Sequence, residues 1–263
     1  MQIASVERGH NILDESFTIV IPAYNEEETI GKTLEEIISF ISNNNLNWSI
    51  IVSVDGNDHT DEIVSSYSAR YHFTSMTKSK DRKGKGAAVK RVLDVLRSEY
   101  VILMDADGSL SFETIVTNLK LLNDYDGLIF SRYFNHNRIP FLRTFLSRGF
   151  NILVRASLGL KTRDTQSGYK IFKTESFVAA MKNVGSTNAF FDVALLYYLK
   201  EQKAIIKEVE SPYFHRKDST FHPIGLAISE GISLVAFRIR HSRFYKYIPQ
   251  QLVSLYYRKL RWM

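Results

Sequence analysis

Val101-Ile102-Leu103-Met104-Asp105-Ala106-Asp107-Gly108 is an apolar run that breaks into two carboxylates and a turn. The run reads as a buried strand, and its acids fall at the carboxyl end, where open α/β sheets bind their ligands. Hard divalent cations favour carboxylate and phosphate oxygens, so the pattern points to Mg²⁺ or Mn²⁺ shared with a diphosphate. A second Asp-x-Asp, Asp124-Tyr125-Asp126, precedes its strand instead of following it. That placement suits a turn or a cap.

Working outward, Phe17 to Ile21 is a short buried-type strand closed by Pro22, and Glu26 to Glu28 open an expected helix through about Phe40. Trp48 to Val54 is the next strand, and Thr60 to Tyr71 a helix with Asp58 or Thr60 at its cap. The turn Arg82-Lys83-Gly84-Lys85-Gly86 leads into a helix from Ala87 to about Ser98. After the strand with the aspartates come a helix from Phe112 to Leu122 and the strand Leu128 to Ser131. This alternation predicts a mainly parallel, Rossmann-like sheet with helices on both faces. Beyond Arg132 the pattern changes: Arg138 to Leu160 reads as one or two amphipathic helices without acids. Ile171-Phe172 returns to the sheet, Phe190 to Lys200 is a helix, and Ala204 to Val209 a late strand.

The 263 residues hold no cysteine, which excludes disulfides and thiol catalysis. The first sixteen residues lack an apolar core and do not read as a signal peptide, so a cytoplasmic start is expected. From Gly231 to Met263 there are seven Lys or Arg and no acid, enough to account for the whole net charge of +6. Phe237, Phe244, Tyr245, Tyr247, Tyr256, Tyr257 and Trp262 lie among them, a mixture suited to the headgroup layer of an anionic membrane. The longest apolar candidate, Ile224 to Phe237, is interrupted by Glu230, so the tail is expected to lie on a bilayer without spanning it. The expected division is an N-terminal arm (1–16), a catalytic domain (17–214) and a basic aromatic extension (215–263).

Three strand ends share one edge of such a sheet: Pro22-Ala23-Tyr24-Asn25-Glu26, Asp55-Gly56-Asn57-Asp58 and Asp105-Ala106-Asp107. A Tyr and an Asp at adjacent strand ends can stack on a base and accept hydrogen bonds from it. His215-Arg216-Lys217-Asp218-Ser219 is either a basic flap over phosphates or a solvated loop. Phe141, Phe145, Phe150, Leu153 and Leu158 either meet a lipid chain or form core, and their company of Arg143, Arg148 and Arg155 favours a membrane-facing segment.

The segments 19–27, 54–57, Gly84-Lys85-Gly86-Ala87-Ala88 and 104–108 resemble the family 2 glycosyltransferases with the GT-A fold. Ser131-Arg132-Tyr133, Ser147-Arg148-Gly149-Phe150-Asn151 and Asp164-Thr165-Gln166-Ser167-Gly168-Tyr169-Lys170 narrow the likeness to polyprenyl-phosphate mannose or glucose synthases. The resemblance implies inverting, metal-dependent transfer of one hexose from a nucleotide sugar to a polyprenyl phosphate at the cytoplasmic face of a membrane. It assigns Pro22, Ala23, Tyr24, Glu26, Asp55, Lys85, Asp105, Ala106 and Gln166 to the nucleotide sugar, and Asp105 and Asp107 to the metal, with Asp107 favoured as direct ligand. Arg132 and Arg148 meet the acceptor phosphate, joined by Arg216 and Lys217 if the flap closes, and Asp107, Arg132 and Arg148 form the catalytic set. The expected partners are a nucleotide sugar of the UDP-glucose or GDP-mannose class, a polyprenyl phosphate and a membrane surface, with no nucleic acid.

Two departures stand out. The turn after the second strand leaves more than one acid able to meet the base, with Asp55 favoured, and Phe190-Phe191-Asp192-Val193-Ala194 has Ala194 where the family pattern has Glu. Transfer to a glycan or small acceptor, and a non-catalytic receiver-like or nucleic-acid-binding module, are the competing readings.

Overall fold

Phe17, Ile19 and Ile21 point to one side of β1 (Phe17–Tyr24) and Val20 to the other, and all four are fully buried. A strand buried on both faces belongs in the middle of a covered sheet. The computed structural model describes residues 11–79, 81, 83–133, 141–186, 188–212, 223–243 and 245, with only the backbone of 141–144, 223, 224, 226 and 227.

After β1 come α1 (Ile30–Asn43), β2 (Trp48–Asp55), α2 (Thr60–Arg70), β3 (Thr74–Ser79) and α3 (Lys85–Lys90). Next are β4 (Tyr100–Leu103), α4 (Phe112–Asn118), β5 (Gly127–Ser131), α5 (Phe141–Leu158), β6 (Lys170–Lys173) and α6 (Thr174–Asn183). The chain continues through α7 (Phe191–Glu201), β7 (Ile206–Glu210) and α8 (Pro223–Arg240). The sheet order is β3-β2-β1-β4-β6-β5-β7. Its pairs are parallel except those of β6, which runs antiparallel to both β4 and β5. Phe17, Ile19, Ile50, Val52, Ile102 and Met104 form one core layer with Leu34 and Ile37 of α1 and Phe112 and Ile115 of α4. Val20, Ile51, Val101 and Leu103 form the other with Val154, Phe177, Leu195 and Leu196. Leu234 of α8 joins this second layer, so the C-terminal segment begins packed on the sheet domain.

The expected fold class holds, and the differences are local. Helix α1 starts at Ile30, beyond Glu26 to Glu28. Of these acids, Glu27 serves the neighbouring helix: the backbone N–H of His59 donates to Glu27 Oε2 (2.9 Å), and that of Glu27 donates to Asp58 Oδ2 (3.1 Å), while Glu26 Oε2 accepts from Thr29 Oγ1 (2.7 Å) just before α1. Asn25, at φ 53°, turns the chain out of β1 to make this exchange. Helix α3 is shorter than expected and tightens into a 3-10 turn at Leu93–Val95; α4 likewise passes into one at Leu119–Asn123. Strand β3 was not foreseen because Thr-Ser-Met-Thr-Lys-Ser carries little apolar signal, as suits an edge strand. Helix α6 was also missed, although Phe177, Ala180 and Met181 give it a helical spacing toward the core. The region from Arg138 resolves into one helix, α5, over its described part. Asp126 turns the chain as expected: Lys173 Nζ donates to its Oδ1 (2.8 Å) and the Ile205 N–H to its Oδ2 (2.9 Å).

Candidate active site

Parallel register sets Tyr24 directly beside Asp55 at the carboxyl ends of β1 and β2. Tyr24 is 41% exposed and Asp55 only 3%. A ring open to solvent beside a buried carboxylate suits a base that stacks on one and hydrogen-bonds the other. Gly56 follows at φ 110°, and a Cβ there would fall 2.2 Å from Asn25 Oδ1, so the close approach of the two strand ends requires glycine. The competing acid of this turn is engaged elsewhere, since Asp58 accepts from the Thr60 N–H (3.1 Å) and hydroxyl (2.9 Å) at the first residue of α2, just before which His59 is the N-cap. Asp55 Oδ1 meets Arg91 Nη2 at 2.6 Å, and its Oδ2 accepts the Lys83 N–H at 3.2 Å. Glu26 lies at the turn before α1, its N–H donating to Thr60 Oγ1 (2.8 Å). Pro22 is half-buried, whereas Ala23 and Ala106 are buried in the core, and the Ala106 carbonyl accepts from Thr33 Oγ1 (2.9 Å). Their methyls are turned to packing.

Beyond β4, Lys85 Nζ donates to Asp105 Oδ1 at 2.5 Å. Burial works to raise the Asp105 carboxyl, but Lys85, with Lys170 and Arg132 farther off, holds it below the usual carboxylate range. Its other oxygen lies against Gly168, where a Cβ would fall 1.7 Å from Asp105 Oδ2. Asp107 Oδ1 accepts the Ser109 N–H (2.9 Å) and the hydroxyl of buried Tyr169 (3.3 Å). Its Oδ2 takes no hydrogen bond among the described residues. No group of three or more His, Cys, Asp or Glu side chains among the described residues can hold an ion. Two hard carboxylates at a strand end are donor chemistry that would suit a Mg²⁺ or Mn²⁺.

Beyond β5, Arg132 and Asp164 form a two-pronged pair, Nε–Oδ2 2.8 Å and Nη2–Oδ1 2.7 Å, with the Arg132 N–H also on Oδ2. Burial would raise the Asp164 carboxyl, but the Arg132 charge and hydrogen bonds hold it low. Arg132 Nη2 also reaches the Gln166 carbonyl (3.3 Å), so Gln166 enters the site through its backbone. Arg148 is exposed on α5, its guanidinium 5.7 Å from the Tyr133 ring centre. Asn151 ties that helix to the same loop by accepting from the Thr165 N–H (3.0 Å) and hydroxyl (2.7 Å). Arg216, Lys217 and the rest of the expected flap at 215–219 lie outside the described residues.

Sequence reasoning assigned no role to Asp164, Gly168, Tyr169, Lys170 or Arg91. The first four reach the site because β6 is antiparallel: the chain entering it arrives at the edge where the parallel strands end. Lys170 is buried, donates to the Ser167 carbonyl and pairs with Asp192 Oδ1 at 2.6 Å. Burial pushes this ammonium down, against the pull of Asp192. The apolar stripe of α5 divides: Phe150 and Leu158 are core, while Phe145 and Leu153 are exposed. Phe237 is half-buried and packs on Phe190, Tyr197 and His241. Of the other tail aromatics, Phe244, Tyr247, Tyr256, Tyr257 and Trp262 lie outside the described residues.

A mostly parallel seven-stranded sheet covered on both faces, with Tyr24, Asp55, Asp105 and Asp107 at the carboxyl ends of its strands, is the architecture of a GT-A glycosyltransferase. Residues 18–179 match the model of glycosyl transferase family 2, and the chain belongs to that family. It is 28% identical over 262 residues to a dolichyl-phosphate β-glucosyltransferase of Dictyostelium discoideum, covering 91% of this chain and 79% of the relative. The human enzyme of the same name is 27% identical, covering 86% and 76%. Among solved structures, glucosyl-3-phosphoglycerate synthase from Mycobacterium tuberculosis, with Mn²⁺, UDP and glucosyl-3-phosphoglycerate, shares the fold. Its TM-score is 0.62 at 16% identity, covering 88% of this chain and 84% of that one.

Proposed function

We propose that this glycosyltransferase moves a single glucose from UDP-glucose to a polyprenyl phosphate, with inversion at the anomeric carbon, at the cytoplasmic face of a membrane. The observation that carries the reading is the alignment of Tyr24 with Asp55 on the same sheet edge as Asp105 and Asp107. The dolichyl-phosphate glucosyltransferases among its relatives support the acceptor and sugar.

In this reading Tyr24 stacks on the base and Asp55 accepts its N–H. Asp107, with an open oxygen, is the direct metal ligand, and Asp105 stands behind it on Lys85. Asp107 and Asp105 would hold a divalent cation, which would supply Lewis-acid stabilisation to the leaving diphosphate. Lys85 adds positive charge on the same side. The acceptor phosphate is already anionic, so it needs no general base. Its oxygen attacks C1 of the sugar, the bond from C1 to the diphosphate breaks, and the electron pair leaves with UDP. Arg148 and Arg132 guide the acceptor, Arg148 from exposed α5 and Arg132 from a geometry fixed by Asp164. Exposed Phe145, Ile152 and Leu153 recur at helical spacing on α5, as do Ile228, Val235 and Ile239 on α8. These stripes and the basic tail supply a surface for the bilayer. Among the described residues no helix is long and apolar enough to cross it.

The test is incubation with Mn²⁺ or Mg²⁺, labelled UDP-glucose and a polyprenyl phosphate. A lipid-soluble labelled product is expected. Labelled product only with phosphoglycerate or a free glycan, or none with any common donor from folded protein, overturns the assignment.

A further inference from the structure

Helix α3 carries one cation to each of two site acids. Lys85 opens it and pairs with Asp105, and Arg91, at its C-cap, pairs with Asp55. The helix is seated tightly, since a Cβ on Gly86 would fall 2.7 Å from Phe191 Cβ. Arg91 is also anchored to β2, donating to Ser53 Oγ (3.0 Å) and to the Val54 carbonyl (3.4 Å). Its guanidinium is therefore fixed on two sides before it meets Asp55 Oδ1. The Lys83 N–H on Oδ2 completes the clamp.

We propose that Arg91 is a positioning residue that sets the base preference by occupying one oxygen of Asp55; the inference rests on the nucleotide role of Asp55 given above. A free carboxylate accepts two adjacent N–H groups side by side, one on each oxygen, as the N1–H and amino group of guanine present them. With Arg91 on Oδ1 (2.6 Å) and the Lys83 N–H on Oδ2 (3.2 Å), each oxygen of Asp55 already has a partner, and the more loosely held Oδ2 is the flank that takes one further N–H. A single N–H between two carbonyls, the imide of uracil, fits that flank. The clamp thus favours a uridine diphosphate over a guanosine diphosphate at an acid that would otherwise serve both.

Calorimetry with UDP, GDP and inorganic pyrophosphate, each with Mn²⁺, tests this on the full chain and on Arg91→Leu, Arg91→Gln and Arg91→Lys, each checked for folding by circular dichroism. The wild type is expected to prefer UDP. Arg91→Leu and Arg91→Gln are expected to weaken UDP about tenfold or more, narrow the UDP-to-GDP ratio and leave pyrophosphate affinity in place, and Arg91→Lys to recover part of the ratio. In turnover with UDP-glucose the loss shows in donor KM more than in kcat. An unchanged ratio in the folded variants, or equal weakening of all three probes, overturns the role of Arg91. Failure of the wild type to bind any nucleoside diphosphate would instead refute the nucleotide site itself.

Discussion

At the scale of single residues, the site depends on small differences in how two acids are held. Asp105 is engaged by Lys85 and pressed on Gly168, whereas Asp107 keeps one oxygen open among the described residues. Asp107→Ala is therefore expected to cut transfer by about a hundredfold or more while the thermal midpoint moves little. Turnover and a melting curve on the same preparation check both halves. Gly168→Ala makes a sharper case, because nothing catalytic is removed. The new methyl would sit 1.7 Å from Asp105 Oδ2, so the carboxylate must leave Lys85 or the β6 entry must shift. The expected result is loss of Mn²⁺-dependent UDP binding by calorimetry in a protein that still folds. Wild-type binding by this variant would mean that Asp105 has no part in the donor site.

At the scale of elements, buried charge joins the helices to the sheet. Lys170 at the start of β6 and Asp192 in α7 form an ion pair almost wholly removed from water. Breaking such a pair strands one charge, so Lys170→Met or Asp192→Leu alone is expected to cost about 3–5 kcal/mol in denaturant unfolding. The double replacement should recover much of that cost. Behind them, α8 buries Glu230, which is 3% exposed and whose Oε2 has no hydrogen-bond partner among the described residues. Burial, with the Asp192 charge adding to it, pushes this carboxyl up from 4.5 to about 8. The native state then holds a proton that the unfolded chain releases. Stability is present below the ordinary carboxylate range and is lost as pH rises toward about 8, by an amount on the order of several kcal/mol. Melting curves from pH 5 to 8 should show that fall, and Glu230→Gln should flatten it.

At the scale of the whole molecule, the exposed stripes of α5 and α8 and the basic C-terminal residues predict flotation with anionic vesicles that weakens with salt. Replacing Phe145 and Leu153 by Ser is expected to lower the vesicle-bound fraction, and equal flotation would place the contact elsewhere. Much of this architecture was legible in the chain. The alternation of apolar runs with polar helices specified the covered parallel sheet, and the order of strand ends brought Tyr24, Asp55, Asp105 and Asp107 to one edge. Local hydrophobic pattern determines those features, because each strand buries its own side chains. Edge strand β3 escaped that reading because half-exposed strands need no strong apolar signal. What only the tertiary structure decided is partnership between distant residues. The antiparallel turn of β6 delivered Asp164 to Arg132 and Gly168 to Asp105, Glu27 before α1 went to the His59 N–H at the start of α2, and Arg91 reached back to Asp55. Such pairings depend on strand direction and on which helix packs where, and neither is written in the spacing of residues along one segment.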